Sequence, residues 1–218
     1  MLLPTYPIGY ELGPERGQRA LLKRITKALE RAVAEAEVGT FLHHQGVARI
    51  CFMLARKMGL GRDTAISLYI AGALHDIGKL AIPQAILLAP RHLTPTEYKL
   101  VQEHVSASAR IVEPLRALWP DLPTIITQHH ERMDGSGYPR GLAGAAIHPG
   151  ARILAAVDVA HAMLGKRSYR MEVSLDAVLA ELRTPGFDQF VVDRIEMHRG
   201  EFIQWLESSK TQITAGFR

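Results

Sequence analysis

Cysteine is almost missing from this chain. Its 218 residues include one, Cys51, which excludes an intrachain disulfide and argues against a structural zinc site built on thiolates. Long apolar runs are missing too: Arg49, Arg56, His75, Asp76 and Lys79 interrupt the hydrophobic stretches before any reaches the roughly 20 residues that a membrane span needs. The opening M-L-L-P-T-Y-P-I-G-Y-E has no basic leader followed by an apolar segment and a small-residue cleavage site, so the cytoplasm is the expected location and no membrane association is expected. No run of five or more Lys or Arg occurs. The formal net charge of +4 favours anionic partners without the signature of a nucleic-acid polymer binder. Sustained period-two alternation, internal repeats and low-complexity tracts are also absent, which leaves an all-α fold.

What is present is a succession of helical patterns. Residues 1–14, rich in Pro, Gly and Tyr, read as an irregular arm. Leu22, Ile25, Leu29, Ala32 and Ala36 then form one apolar stripe in a helix from Glu15 to Ala36, which Gly39 is expected to end. The chain therefore divides into an N-terminal arm and helix, 1–38, and a main domain, 39–218. Within the domain, helices are expected over 41–58 and 63–75, and over 95–112 behind the capping box Thr94-Pro95-Thr96-Glu97. Further helices should precede His129, span 150–164, follow Ser174 to Arg183, and run from 188 to 206. Met133 to Pro149 holds four glycines and two prolines and reads as a loop.

Ten histidines are many for this length, and their placement carries more than their number. His43, His75 with Asp76, His104, His129 with His130, and Asp158 each lie on or at the end of a separate predicted helix, which is how a helical bundle projects ligands into one interior site. Imidazoles with carboxylates suit Fe, Mn, Zn, Ni or Co. Seven such donors suit two ions bridged by one carboxylate, an arrangement that activates water for attack on phosphorus.

The segments H-D-I-G-K at 75–79, Ile82-Pro83, H-H-E-R-M-D-G-S-G-Y-P at 129–139, Asp158 and R-S-Y-R at 167–170 resemble an HD-GYP domain. These are bacterial metal-dependent phosphodiesterases of the HD superfamily that hydrolyse the second messenger cyclic di-GMP. The resemblance spans roughly 41–190. It implies a helical HD bundle with a Gly-rich GYP loop, and two divalent ions, Fe or Mn in preference, with Ni, Co or Zn open in a purified sample. His43, His75, Asp76 and Asp158 would hold one ion and His104, His129 and His130 the other, with Asp76 as the bridge. Lys79 would neutralise charge at the scissile phosphate or protonate the leaving oxygen. Arg167 and Arg170 would contact phosphate, and Tyr138 would stack or hydrogen-bond near substrate.

The implied activity is hydrolysis of cyclic di-GMP to pGpG and onward to GMP. The alternative is a slow cyclic di-GMP and metal sensor that signals through protein partners, with the GYP loop as their contact. A nucleotide hydrolase of another HD type, acting on (p)ppGpp or dNTPs, is disfavoured by the loop and by H-H-E-R. The chain departs from the family pattern at Gly39, where three-metal members carry Glu, at Gly46 in place of an Arg, at Val105 and Ser108 in place of Pro and Gly, and at His161 in place of an Asp. Gly39 points to two ions rather than three. His44 is expected to be exposed.

The stripe of the N-terminal helix must be covered, because an isolated helix of about 20 ordinary residues is marginal in water. Packing on its own bundle is preferred to a seam with a second copy, since two of the five stripe positions are alanine and make a weak coiled coil. Deleting residues 1–38 should leave the mass seen by light scattering unchanged and lower the melting temperature by several degrees; a fall from dimer to monomer with stability intact would reverse the preference.

Overall fold

A computed structural model describes residues 38–165 and 174–205. The N-terminal arm and helix, and Arg167 and Arg170, lie outside the described residues. The architecture is a helical bundle: α1 (Val38–Lys57), α2 (Arg62–Leu74), α3 (Gln84–Leu87), α4 (Pro95–Gln102), α5 (His104–Val112), α6 (Leu122–Thr127), α7 (Pro149–Gly165), α8 (Leu175–Leu182) and α9 (Gln189–Met197). Short 3-10 turns occupy Ile77–Ala81, Glu113–Ala117 and Gly144–Ala146. No strand forms among the described residues; a lone bridge pairs Asp134 with Ala143.

The apolar spacing that predicts the helices also sets their packing. In α1, Val47, Ile50, Cys51 and Leu54 are all fully buried on one face, which lies against α2 and α7. Leu68, Ala71 and Leu74 of α2, Ile125 and Ile126 of α6, and Leu154 and Val157 of α7 complete the centre, and α8 and α9 add Val178, Leu182, Val192 and Ile195. His43 is four residues before Val47, one turn further along the buried face of α1. Asp158 and His161 share a face of α7 with Ala151 and Leu154.

Three boundaries differ from the sequence expectation. Gly39 lies inside α1 rather than ending a helix before it. The predicted helix over 95–112 is two helices broken at Glu103, although the Thr94 capping box is formed, with Glu97 accepting from the Thr94 N–H at 2.8 Å. The predicted helix over 188–206 breaks at His198 and resumes over 199–205. Apolar periodicity continues through both breaks, so it could not reveal them.

No helix among the described residues is long and apolar enough to cross a membrane. Leu154, fully buried where α7 meets α1, tests the packing: Leu154→Ala should cost roughly 2–5 kcal/mol in denaturant unfolding.

Candidate metal centre

Three helix ends aim histidines at one point. The last turn of a helix leaves backbone carbonyls without intrahelical partners. Here ring nitrogens take them up: His75 Nδ1–H donates to Gly72 O at 2.9 Å, His129 Nδ1–H donates to Ile126 O at 2.7 Å, and His104 Nδ1–H donates to Val101 O, the last turns of α2, α6 and α4 respectively. A proton is thereby fixed on each Nδ1, and each Nε2 is turned toward the interior. The break at Glu103 is what gives His104 a carbonyl to bind.

Those Nε2 atoms converge on Asp76. Its Oδ1 is 3.0 Å from His104 Nε2 and 4.0 Å from His129 Nε2, while Oδ2 is 3.5 Å from His75 Nε2, 3.6 Å from His44 Nε2 and 2.6 Å from Lys79 Nζ. One oxygen thus faces one set of imidazoles and the other faces a second set. Beyond His75, Asp158 Oδ1 lies 2.9 Å from His43 Nε2 and 3.5 Å from His75 Nε2.

Two donor groups result, Asp76 with His104, His129 and His130, and His43 with His75 and Asp158, each with its ligand atoms within 4.8 Å of one another. All seven residues expected as donors are brought together. A third combination, His44 with His75 and Asp76, shares two members with these. The donor chemistry fits metal ions: His75 Nε2, His104 Nε2, His129 Nε2, Asp76 Oδ1 and both nitrogens of His44 are buried without a hydrogen-bond partner, a cost that a bound cation would remove.

His44 corrects an expectation. It is 1% exposed, not at the surface. It shares a stripe of α1 with Val47, Ala48 and Cys51, all fully buried, beside the face that carries His43.

Close approach makes the cluster possible. A Cβ on Gly78 would fall 2.1 Å from His104 O and 2.5 Å from Ser108 N, so only glycine lets the turn after Asp76 lie against α5. Ser108, one of the departures, accepts the Gly78 N–H at 2.8 Å.

The loop after His130 is tied to the same segment. The Tyr138 ring stacks on His130 at 4.7 Å between centroids, and the Tyr138 N–H donates to His130 O at 3.2 Å. At Gly137 a Cβ would lie 2.4 Å from that carbonyl oxygen, so the crossing admits no side chain. Glu131, buried, accepts from the N–H of Arg140 at 2.8 Å and of Leu142 at 2.9 Å. Glu131 was missed as a site-shaping residue, because partners nine and eleven residues away leave no local spacing to read.

Exposure grades from floor to rim. The side chains of His75 and His129 are 0% exposed, while His43 reaches 21% and Lys79 33%. Burial, helped by His130 and His75, holds the His129 pKa well below its ordinary value. Burial holds His44 and His130 down to about 4. For Asp76 and Asp158, burial works against the charged form but is outweighed: His75 and Lys79 hold Asp76 well below the usual carboxylate range, and His43 and His75 do the same for Asp158. Burial also opposes charge on His75, yet Asp76 and Asp158 raise its pKa.

The HD domain family matches residues 21–188. The chain belongs to that family, in its HD-GYP branch. It is 40% identical over 148 residues to the 3'3'-cGAMP-specific phosphodiesterase 1 of Vibrio cholerae, covering 66% of this chain and 33% of that one. It is 34% identical over 194 residues to the cyclic di-GMP phosphodiesterase response regulator RpfG of Xanthomonas campestris pv. campestris, covering 87% of this chain and 50% of the relative. The chain thus spans between a third and a half of these relatives. The crystal structure of a cyclic GMP-AMP-specific phosphodiesterase of V. cholerae shares the fold, with a TM-score of 0.58 at 19% identity over 78% of this chain and 47% of that one.

The pKa directions set how the metal-free protein responds to acid. His44 and His130 are neutral when folded down to about pH 4, whereas in the unfolded chain they take up protons near pH 6.5. Their contribution is complete above about pH 6.5 and is lost as pH falls toward 4, in the same sense as His129 and the two carboxylates; His75 alone acts in the opposite sense. The melting temperature of the chelator-treated protein should therefore fall steadily from pH 6.5 to 4, and a flat profile across that window would contradict the buried neutral imidazoles.

Proposed function

We propose that this domain is a metal-dependent phosphodiesterase that hydrolyses cyclic dinucleotides, with cyclic di-GMP as substrate, pGpG as first product and GMP where the linear product is cut again. The observation that carries the reading is the placement of Asp76, whose two oxygens face two separate donor sets. His43, His75 and Asp158 would hold one divalent ion and His104, His129 and His130 the other, with Asp76 between them; Fe or Mn is preferred for this mixed nitrogen and oxygen set. Such ions supply Lewis acidity that polarises a phosphodiester and makes water a competent nucleophile near neutral pH.

The remaining work falls to the chain itself. Lys79 sits at the more exposed side of the site with its ammonium on Asp76 Oδ2 at 2.6 Å. A phosphodiester entering there meets a cation that can neutralise an oxygen or give a proton to the leaving alkoxide. Tyr138, held over His130, offers its other face to a guanine base. Arg167 and Arg170 are assigned to the phosphates on their sequence positions. Matches to relatives named for cyclic di-GMP and for 3'3'-cGAMP support the cyclic dinucleotide class.

A second reading, a slow sensor that signals through protein partners, draws on one observation. Arg110, Arg116 and Arg140 line a groove that includes none of the seven donor residues, with Arg116 paired there to Glu113, and it offers an acidic partner two further arginines.

Purified protein loaded with Mn²⁺ should linearise cyclic di-GMP, and chelation should abolish turnover. Asp76→Ala should lower kcat by at least about 10³-fold, since it removes a group shared by both donor sets. A panel of cyclic di-GMP, 3'3'-cGAMP and cyclic di-AMP orders the substrates by kcat/KM. Nucleotide binding without turnover by the metal-loaded protein would select the sensor.

A further inference from the structure

His43 is held at both ring nitrogens by one helix. Asp158 Oδ1 is 2.9 Å from its Nε2, and three residues along α7 His161 Nδ1 is 3.0 Å from its Nδ1. The two imidazoles meet edge to face with centroids 5.0 Å apart, and His161 is buried. His43 differs here from His75, His104 and His129, whose Nδ1 atoms are fixed by backbone carbonyls. It stands inside α1, and the side chains that meet its ring come from another element.

The space for that side chain comes from Gly46. A Cβ at this position would lie 1.9 Å from His161 Nε2, 2.6 Å from Cδ2 and 2.8 Å from Cε1. The imidazole of His161 fills the volume that any other residue at 46 would claim. A glycine within an α-helix is destabilising relative to alanine, so on helix propensity alone Gly46→Ala should help the protein.

We infer that His161 is a positioning residue for His43, and that Gly46 is the opening that admits it. For His43 Nε2 to act as a ligand, the ring must carry its proton on Nδ1; His161 Nδ1 then accepts that N–H and keeps Nε2 turned toward Asp158. Partners of this kind fix the tautomer and orientation of ligand histidines, and their loss costs roughly 10- to 100-fold in metal affinity. Histidine suits the position because its Nδ1 accepts or donates according to tautomer, and so it can hold His43 both when Nε2–H bonds Asp158 and when Nε2 is a ligand.

This inference rests on the proposed metal-bearing role of His43, and the experiment separates the two. Mn²⁺ uptake is measured by equilibrium dialysis against a competing chelator, beside the melting temperature of the metal-free chain. Wild-type protein should take up two Mn²⁺. His161→Leu should weaken one of them roughly 10- to 100-fold and leave the other unchanged. His161→Asn, which keeps an acceptor near the Nδ1 position, should recover most of the loss. Gly46→Ala should weaken the same ion in the wild-type background and have no further effect on a His161→Ala background, because the added methyl acts only by displacing the imidazole. Wild-type affinity in His161→Leu, or an equal Gly46→Ala effect in both backgrounds, would overturn the inference. A wild-type chain that takes up no Mn²⁺ would remove the metal reading, and the inference with it.

Discussion

A carboxylate buried among imidazoles is costly unless every face of it is met by positive charge or by a hydrogen-bond donor. Asp76 is buried, and it survives ionised because His75, His104, His44 and Lys79 surround it. The surrounding bundle is arranged to deliver those groups: α2 ends at Leu74 with His75 as its cap so that Asp76 leaves the regular helical spacing, α5 starts at His104, and α6 ends just before Gln128 and the His129-His130 pair. Were any of these helices longer by one turn, its histidine would project along a regular face instead of toward the centre.

The exchange at those ends is reciprocal. Each ring takes up a carbonyl that its helix cannot satisfy, and the carbonyl in turn settles which nitrogen carries the proton. Folding thereby fixes the chemistry of three donors before any ligand arrives. His43 is the exception, since it lies within a helix and relies on α7 for the same service.

Much of this was legible in the sequence. Helix positions followed from apolar spacing, and the seven residues that converge followed from their occurrence at predicted helix ends together with the H-D-x-G-K and H-H-E-R-x-D-G-x-G-Y-P patterns. What stayed hidden was set by contacts across the fold. The Glu103 break lies in a stretch whose apolar pattern is continuous on both sides. His44 was masked by its neighbour. Glu131 finds its partners only once the loop has turned back, and Gly46 and His161, read separately as two departures from a pattern, prove to be in contact although 115 positions apart in the chain.

The loop from Met133 to Pro149 is tied chiefly to the His130–Glu131 segment that leads into it. Gly137 is there because nothing larger fits against His130 O, Glu131 because two amides need a carboxylate, and Tyr138 because a flat ring covers His130. Each of these demands belongs to folding and would persist in a descendant that had lost every donor on the opposite wall. Searches keyed to that signature therefore count scaffolds, and whether a given scaffold still works is recorded elsewhere, in the residues that encircle Asp76.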